Sequence, residues 1–188
     1  MVLKSFVNIA LLLAGGWCCL SLQGCTSRYT LPAAEYETYR GEINQHTRLI
    51  HAEEETVFLI LTHEETFQRL CPKGTVVTYE TPPPYKVGTL IKARIIEKYE
   101  LVWHTRVEEL IPGKKIRLTF LDGFFAGGTE LWELEKEGSF TRVTHTIIVQ
   151  PEGFLRNLAW AIKVRGKHDE RVEDFLDALK REAESPQK

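Results

Sequence analysis

GTELWELEKEGSFTRVTHTIIV, residues 128–149, is the stretch that decides the fold. On either side of the Glu137-Gly138 turn signal its residues alternate. Trp132 and Leu134, then Val143, His145, Ile147 and Val149, fall on one face, while Glu133, Glu135, Arg142, Thr144 and Thr146 fall on the other. A period of two with one apolar and one polar side is the pattern of an antiparallel strand packed on a core. The stretch therefore predicts a hairpin with its second face in solvent.

The same period extends upstream. Trp103, Thr105 and Val107, then Ile116, Leu118 and Phe120, continue the apolar face, with turn signals at Pro82-Pro83-Pro84, Pro112-Gly113 and Gly127-Gly128. Thr75 to Gln150 thus reads as six strands of a meander. Ile43 to Ile50 is expected to be an earlier strand, followed by two short helices. Glu53, Glu54 and Glu55 place negative charge on the first turn of one helix, and Pro72 with Gly74 ends the other after Leu70. Downstream, Gly153 to Glu184 is a long helix: Leu155, Leu158, Ala159 and Ile162, then Val172, Phe175, Leu176, Leu179 and Ala183, recur at helical spacing. Gly166 interrupts this stripe and predicts a kink.

The remainder of the chain bears on location. Lys4 precedes the apolar run Phe6 to Ala14, and Leu22-Gln23-Gly24-Cys25 resembles a bacterial lipoprotein box. Residues 1–24 are expected to be a signal peptide, Cys25 the lipidated residue, 25–41 a lipid-anchored spacer, 42–184 the folded domain and 185–188 a disordered tail. The competing reading is an uncleaved single-span anchor. Thr26, where an Asp would signal inner-membrane retention, directs the expectation to the periplasmic face of the outer membrane. With Cys18 and Cys19 in the leader and Cys25 acylated, Cys71 is the one cysteine left in the domain. It is expected to be a buried structural thiol.

Formal charge is −2, from 24 basic and 26 acidic residues, with no dense basic block, which argues against nucleic acid as a partner. No nucleophile elbow, phosphate loop or nucleotide fingerprint is present, and His63-Glu64 lacks the second His of a zinc-protease helix. No catalytic residue, metal site or cofactor is expected on these grounds.

Strand, two short helices, six strands and a long helix is the element order of the helix-grip fold. Val87-Gly88-Thr89, Pro112-Gly113-Lys114-Lys115-Ile116, Gly128-Thr129-Glu130-Leu131-Trp132-Glu133-Leu134 and Thr141-Arg142-Val143-Thr144-His145 resemble strands of the START-like superfamily, the polyketide cyclase/dehydrase and lipid transport proteins (SRPBCC). The resemblance implies an α+β domain in which a seven-stranded antiparallel sheet wraps the C-terminal helix around a hydrophobic cavity. It further implies a hydrophobic small molecule or lipid as partner.

Trp103, Phe120, Trp132, His145, Ile147, Leu158 and Ile162 are then the expected ligand contacts, with Phe124 and Phe125 in a gate loop. His168 and Arg165 are expected in solvent. A cyclase or dehydratase, and an envelope scaffold without a ligand, are the alternatives. The anchor reading predicts that cells fed radiolabelled palmitate label the wild-type chain and not Cys25→Ser, which shifts to the soluble fraction. Equal labelling of both proteins contradicts it.

Overall fold

The computed structural model describes residues 41–98, 100–149 and 153–186. The leader, Cys25 and the spacer up to residue 40 lie outside the described residues. Strand β1 (Glu42–Ile50) is followed by helices α1 (Glu54–Thr62) and α2 (Glu64–Leu70). Six strands come next: β2 (Thr75–Tyr79), β3 (Leu90–Ile96), β4 (Glu100–Ile111), β5 (Lys115–Phe120), β6 (Thr129–Glu137) and β7 (Phe140–Val149). Helix α3 (Phe154–Ala159) runs through a π-helical turn at Trp160–Val164 into α4 (Arg165–Glu184). All seven strands form one antiparallel sheet in the order β1-β7-β6-β5-β4-β3-β2. This is the helix-grip architecture.

Alternation sets the concave face. Val107, Ile116, Leu118, Phe120, Trp132, Leu134, Val143, His145, Ile147 and Val149 are all buried. Register lines up one row across four strands, His46 opposite His145, His145 opposite Trp132, and Trp132 opposite Ile116. A bulge between Val107 and Glu109 resets the parity of β4, so that Leu110 pairs with Ile116 and packs against the core.

The second face departs from expectation. Thr144 and Thr146 are buried, as are Leu131 and Ile148 beside them. Thr146 sits on β7 between Gln45 of β1 and Leu131 of β6, and the Gln45 amide donates to its Oγ1 at 2.9 Å. Short side chains on an inner strand are covered by longer ones on the flanking strands, so polarity alone does not expose them.

The helix also differs in where it is irregular. The interruption is the π turn at Trp160–Val164, not Gly166, which lies within α4. Twelve residues separate Trp160 from Val172, which at about 100° per residue would leave them about 120° apart. A π turn absorbs one extra residue and reduces this to about 20°. Trp160, Val164, His168 and Val172 therefore share the inner face, where Trp160 is fully buried. The same shift turns Leu158 and Ile162 outward, and they are 44% and 76% exposed.

Two apolar clusters result. The larger joins α1, α2 and the second half of α4 (Phe175, Leu176, Leu179, Ala183) to Ile50, Val143 and Leu134. The smaller gathers Phe120, Ile147 and Val149 around Trp160, with Phe124 and Phe125 against it. Truncating a buried aromatic costs about 3–5 kcal/mol, so Trp160→Ala should lower the unfolding free energy by that order. Deleting Ala161, which straightens the π turn, should destabilise comparably by rotating Trp160 out. Urea unfolding followed by tryptophan fluorescence measures both, and an unchanged midpoint for the deletion would show that the phase shift is not needed.

Candidate functional site

Between the two clusters lies a cavity of about 530 Å³. Its wall is aromatic and aliphatic: Phe67 of α2, Val77 of β2, Trp103 of β4, Phe120 of β5, Trp132 of β6, Ile147 of β7, and Val164 and Phe175 of the helix. Exposed Leu101 and Val102 of β4, with Glu97, Lys98, Lys163 and Lys167, line one end and mark the opening toward solvent. Arg171 stands there too, paired with Glu97 and donating to Thr75 Oγ1 at 2.9 Å.

Phe124 and Phe125 lie in the β5–β6 connection and also line the cavity. Phe125 stacks edge-on to Trp160 at 5.5 Å and on Phe120 at 5.4 Å, so the loop is wedged against the helix. Two glycines permit this close seat. A Cβ on Gly123 would come within 2.8 Å of the Trp103 Cβ, and one on Gly128 within 2.9 Å of the Ile148 and Phe125 carbonyl oxygens.

Part of the cavity lining is a polar pair, a buried His145 and a half-buried Glu130. Glu130 shares the inward parity of Trp132, and its Oε1 accepts from the Trp132 indole N–H at 3.0 Å and lies 3.2 Å from His145 Nε2. His145 is only 3% exposed and stacks on Trp132 at a ring separation of 4.3 Å. In a neutral ring a carboxylate acceptor draws the proton to Nε2, which leaves Nδ1 an acceptor. That Nδ1 is buried and, among the described residues, has no hydrogen-bond partner. An unpaired buried acceptor costs about 1–3 kcal/mol.

His168 faces His145 across 6.0 Å and lines the cavity, contrary to the solvent placement expected of it. The π turn is the reason, since it carries the helix phase from Trp160 to His168. Burial pushes the His168 imidazole below its ordinary range, against the pull of Asp169 beside it. Asp169 is held down at about 2 by His168, with Asn44 and His46 adding to this and burial opposing. Burial likewise raises the Tyr79 and Tyr85 hydroxyls, and the Tyr79 hydroxyl donates to the Leu61 carbonyl at 3.3 Å.

Of the expected contacts, Trp103, Phe120, Trp132, His145 and Ile147 come together on this wall, as do Phe124 and Phe125 of the loop. Leu158 and Ile162 do not, because the π turn rotates them to the outer side of the helix. Glu130 and His168 were missed. Strand parity with Trp132 would have found Glu130, whereas no simple period marks His168.

No protein-family model matches the chain, and no curated protein matches it. Solved structures do. Protein CV1439 from Chromobacterium violaceum is 18% identical over 77% of this chain and 98% of its own, with a TM-score of 0.60. TTHA0849 from Thermus thermophilus is 18% identical over 76% of this chain and 97% of its own, at a TM-score of 0.64. Ara h 8.0201 is 10% identical over 76% and 97%, at 0.59. These likenesses show the helix-grip fold.

Cys71 lines the cavity at the end of α2, and its thiol donates to the Phe67 carbonyl at 3.4 Å. Burial pushes the thiol up to about 12. At pH 8 about one thiol in ten thousand is then ionised, against about one in four for an ordinary cysteine. Iodoacetamide should therefore label native Cys71 at least a hundredfold more slowly than the unfolded chain. Comparable rates in the two states would show an activated thiol.

Proposed function

We propose that this protein binds a hydrophobic small molecule or lipid in the cavity between sheet and helix, and presents it beside a membrane to which Cys25 is tethered. The observation that carries the reading is the 530 Å³ cavity itself, walled by apolar side chains with the buried His145 and the half-buried Glu130 among its few polar lining groups. Small-molecule sites have this size and this make-up, an apolar wall with few polar groups that fix orientation. The ligand is then apolar over most of its length and carries a hydroxyl or N–H that reaches His145. Lys98, Lys163 and Lys167 at the opening favour a solvent-facing end that is neutral or anionic over a cationic one. Tethering at the bacterial envelope, on the periplasmic face of the outer membrane, would give such a cavity access to poorly soluble ligands. The domain that does this is residues 42–184.

A second reading rests on the Glu130–His145 pair. A half-buried carboxylate beside a buried imidazole in the lining of an apolar cavity can relay a proton to or from a bound ligand, as a cyclase or dehydratase requires. It predicts that the retained compound is converted over time and that His145→Asn stops conversion while leaving retention intact.

The test is to purify the full chain in a mild detergent, carry detergent alone through the same columns, and compare native with denatured mass. A released apolar compound near one equivalent is the expected result. Trp132→Ala and Phe120→Ala should lower its retention at least about tenfold, roughly 1.4 kcal/mol, while Glu133→Ala on the opposite face leaves it unchanged. An empty wild-type chain that also refuses a panel of apolar fluorescent probes contradicts the proposal, and equal losses in all three variants point to general destabilisation.

A further inference from the structure

A second constellation of polar groups lies where β1 meets α4 and shares His168 with the cavity wall. One ring nitrogen each of His46 and His168 and a carboxylate oxygen of Asp169 lie within 4.8 Å of one another. We propose that these three side chains form a binding site for a divalent first-row cation of the zinc class, which clamps β1 to the C-terminal helix.

Three features of the site support this. The first is spacing. Asp169 Oδ1 is 3.2 Å from His46 Nε2 and 3.8 Å from His168 Nδ1. Nitrogen and oxygen ligands held about 2.0–2.2 Å from a tetrahedral zinc stand roughly 3.3 Å apart, so little movement closes the site. Asn44 ties the group together, its Oδ1 2.9 Å from His46 Nε2 and its Nδ2 donating to Asp169 Oδ1 at 2.7 Å.

The second is the hydrogen-bond inventory of His46. Its Nδ1 faces Glu173 Oε1 at 2.6 Å, and its Nε2 faces the oxygens of Asn44 and Asp169. Both nitrogens thus meet acceptors only. A neutral ring donates from one nitrogen and turns a lone pair on oxygen at the other, a mismatch that a cation at Nε2 removes. With Nδ1–H donating to Glu173, the arrangement is the carboxylate–histidine pair that orients and strengthens metal-bound imidazoles. Arg48 fixes Glu173 in turn, donating to its second oxygen at 2.6 Å.

The third is His168, whose buried Nδ1 makes no hydrogen bond among the described residues and stands 3.8 Å from Asp169 Oδ1. A cation supplies the contact it lacks, which an extra proton on His46 does not. Asp169, 39% exposed, leaves an entry path from solvent. The chemistry suits zinc, cobalt or nickel rather than magnesium or calcium, since two of the three donors are imidazole nitrogens. The ligands come from opposite ends of the domain, so no local spacing in the chain reveals them.

The test uses the full chain with any purification tag removed, stripped with EDTA, desalted and titrated with cobalt(II). The expected result is saturable visible absorption of a cobalt centre at one equivalent, displaced by zinc, with a higher unfolding temperature in the loaded protein. His168→Ala and Asp169→Asn should each weaken binding at least about tenfold. Glu173→Gln should weaken it by about 10- to 100-fold through His46. His104→Ala, in the surface pair with Asp122, should change nothing. If His168→Ala fails to fold by circular dichroism, the near-isosteric and part-exposed Asp169→Asn decides. A wild-type chain with no saturable cobalt signal, binding that survives Asp169→Asn, or binding lost in His104→Ala overturns the proposal, leaving a proton on His46 as the positive centre.

Discussion

A single helix cannot cover a seven-stranded sheet, and the rest of the structure follows from that mismatch. Six gaps of about 4.8 Å make the sheet roughly 29 Å wide, while a helix with its side chains is about 10–12 Å across. Helices α1 and α2, which span the connection from edge strand β1 to edge strand β2, fill one end with the second half of α4. Trp160 and the Phe124-Phe125 loop fill the other. What neither group reaches is the cavity, and the aromatic row from His145 to Ile116 forms its floor. The void follows from element widths, flanked by the two apolar clusters and open to solvent past Leu101 and Val102.

Closing the far end depends on the π turn. Without the extra residue at Trp160–Val164, the helix could not present both Trp160 and Val172 to the sheet. The same turn brings His168 inward, so that three imidazoles, His46, His168 and His145, stand about 6 Å apart in succession from β1 to the cavity. Polar groups in that line are tied by Glu130 at one end and by Asp169 and Glu173 at the other. Packing geometry and polar chemistry are thereby linked through a single irregular turn.

Much of the fold was legible because strands write their burial at a period of two. Trp132, His145 and Ile147 could be placed on one wall from alternation alone, and the turn signals marked the hairpins. The failures have physical causes. Glu130 lies on the same parity as Trp132, but its charge suggests the solvated face and outweighs position in a reading along the chain. Thr144 and Thr146 suggest exposure by polarity, because cover from neighbouring strands is invisible in the sequence. Leu158, Ile162 and His168 are misplaced together, because a helical period of 3.6 does not hold through the π turn.

The central claim is that the cavity is a ligand site whose polar anchor is His145. An experimentally determined structure of the chain as purified, carrying whatever it retained from the cell, tests this most directly. The account predicts continuous ligand density between Trp132 and Phe120, with one polar atom within hydrogen-bond reach of His145 Nδ1. A cavity closed by inward movement of Phe124 and Phe125, with His145 Nδ1 bonded to the protein itself, would contradict it.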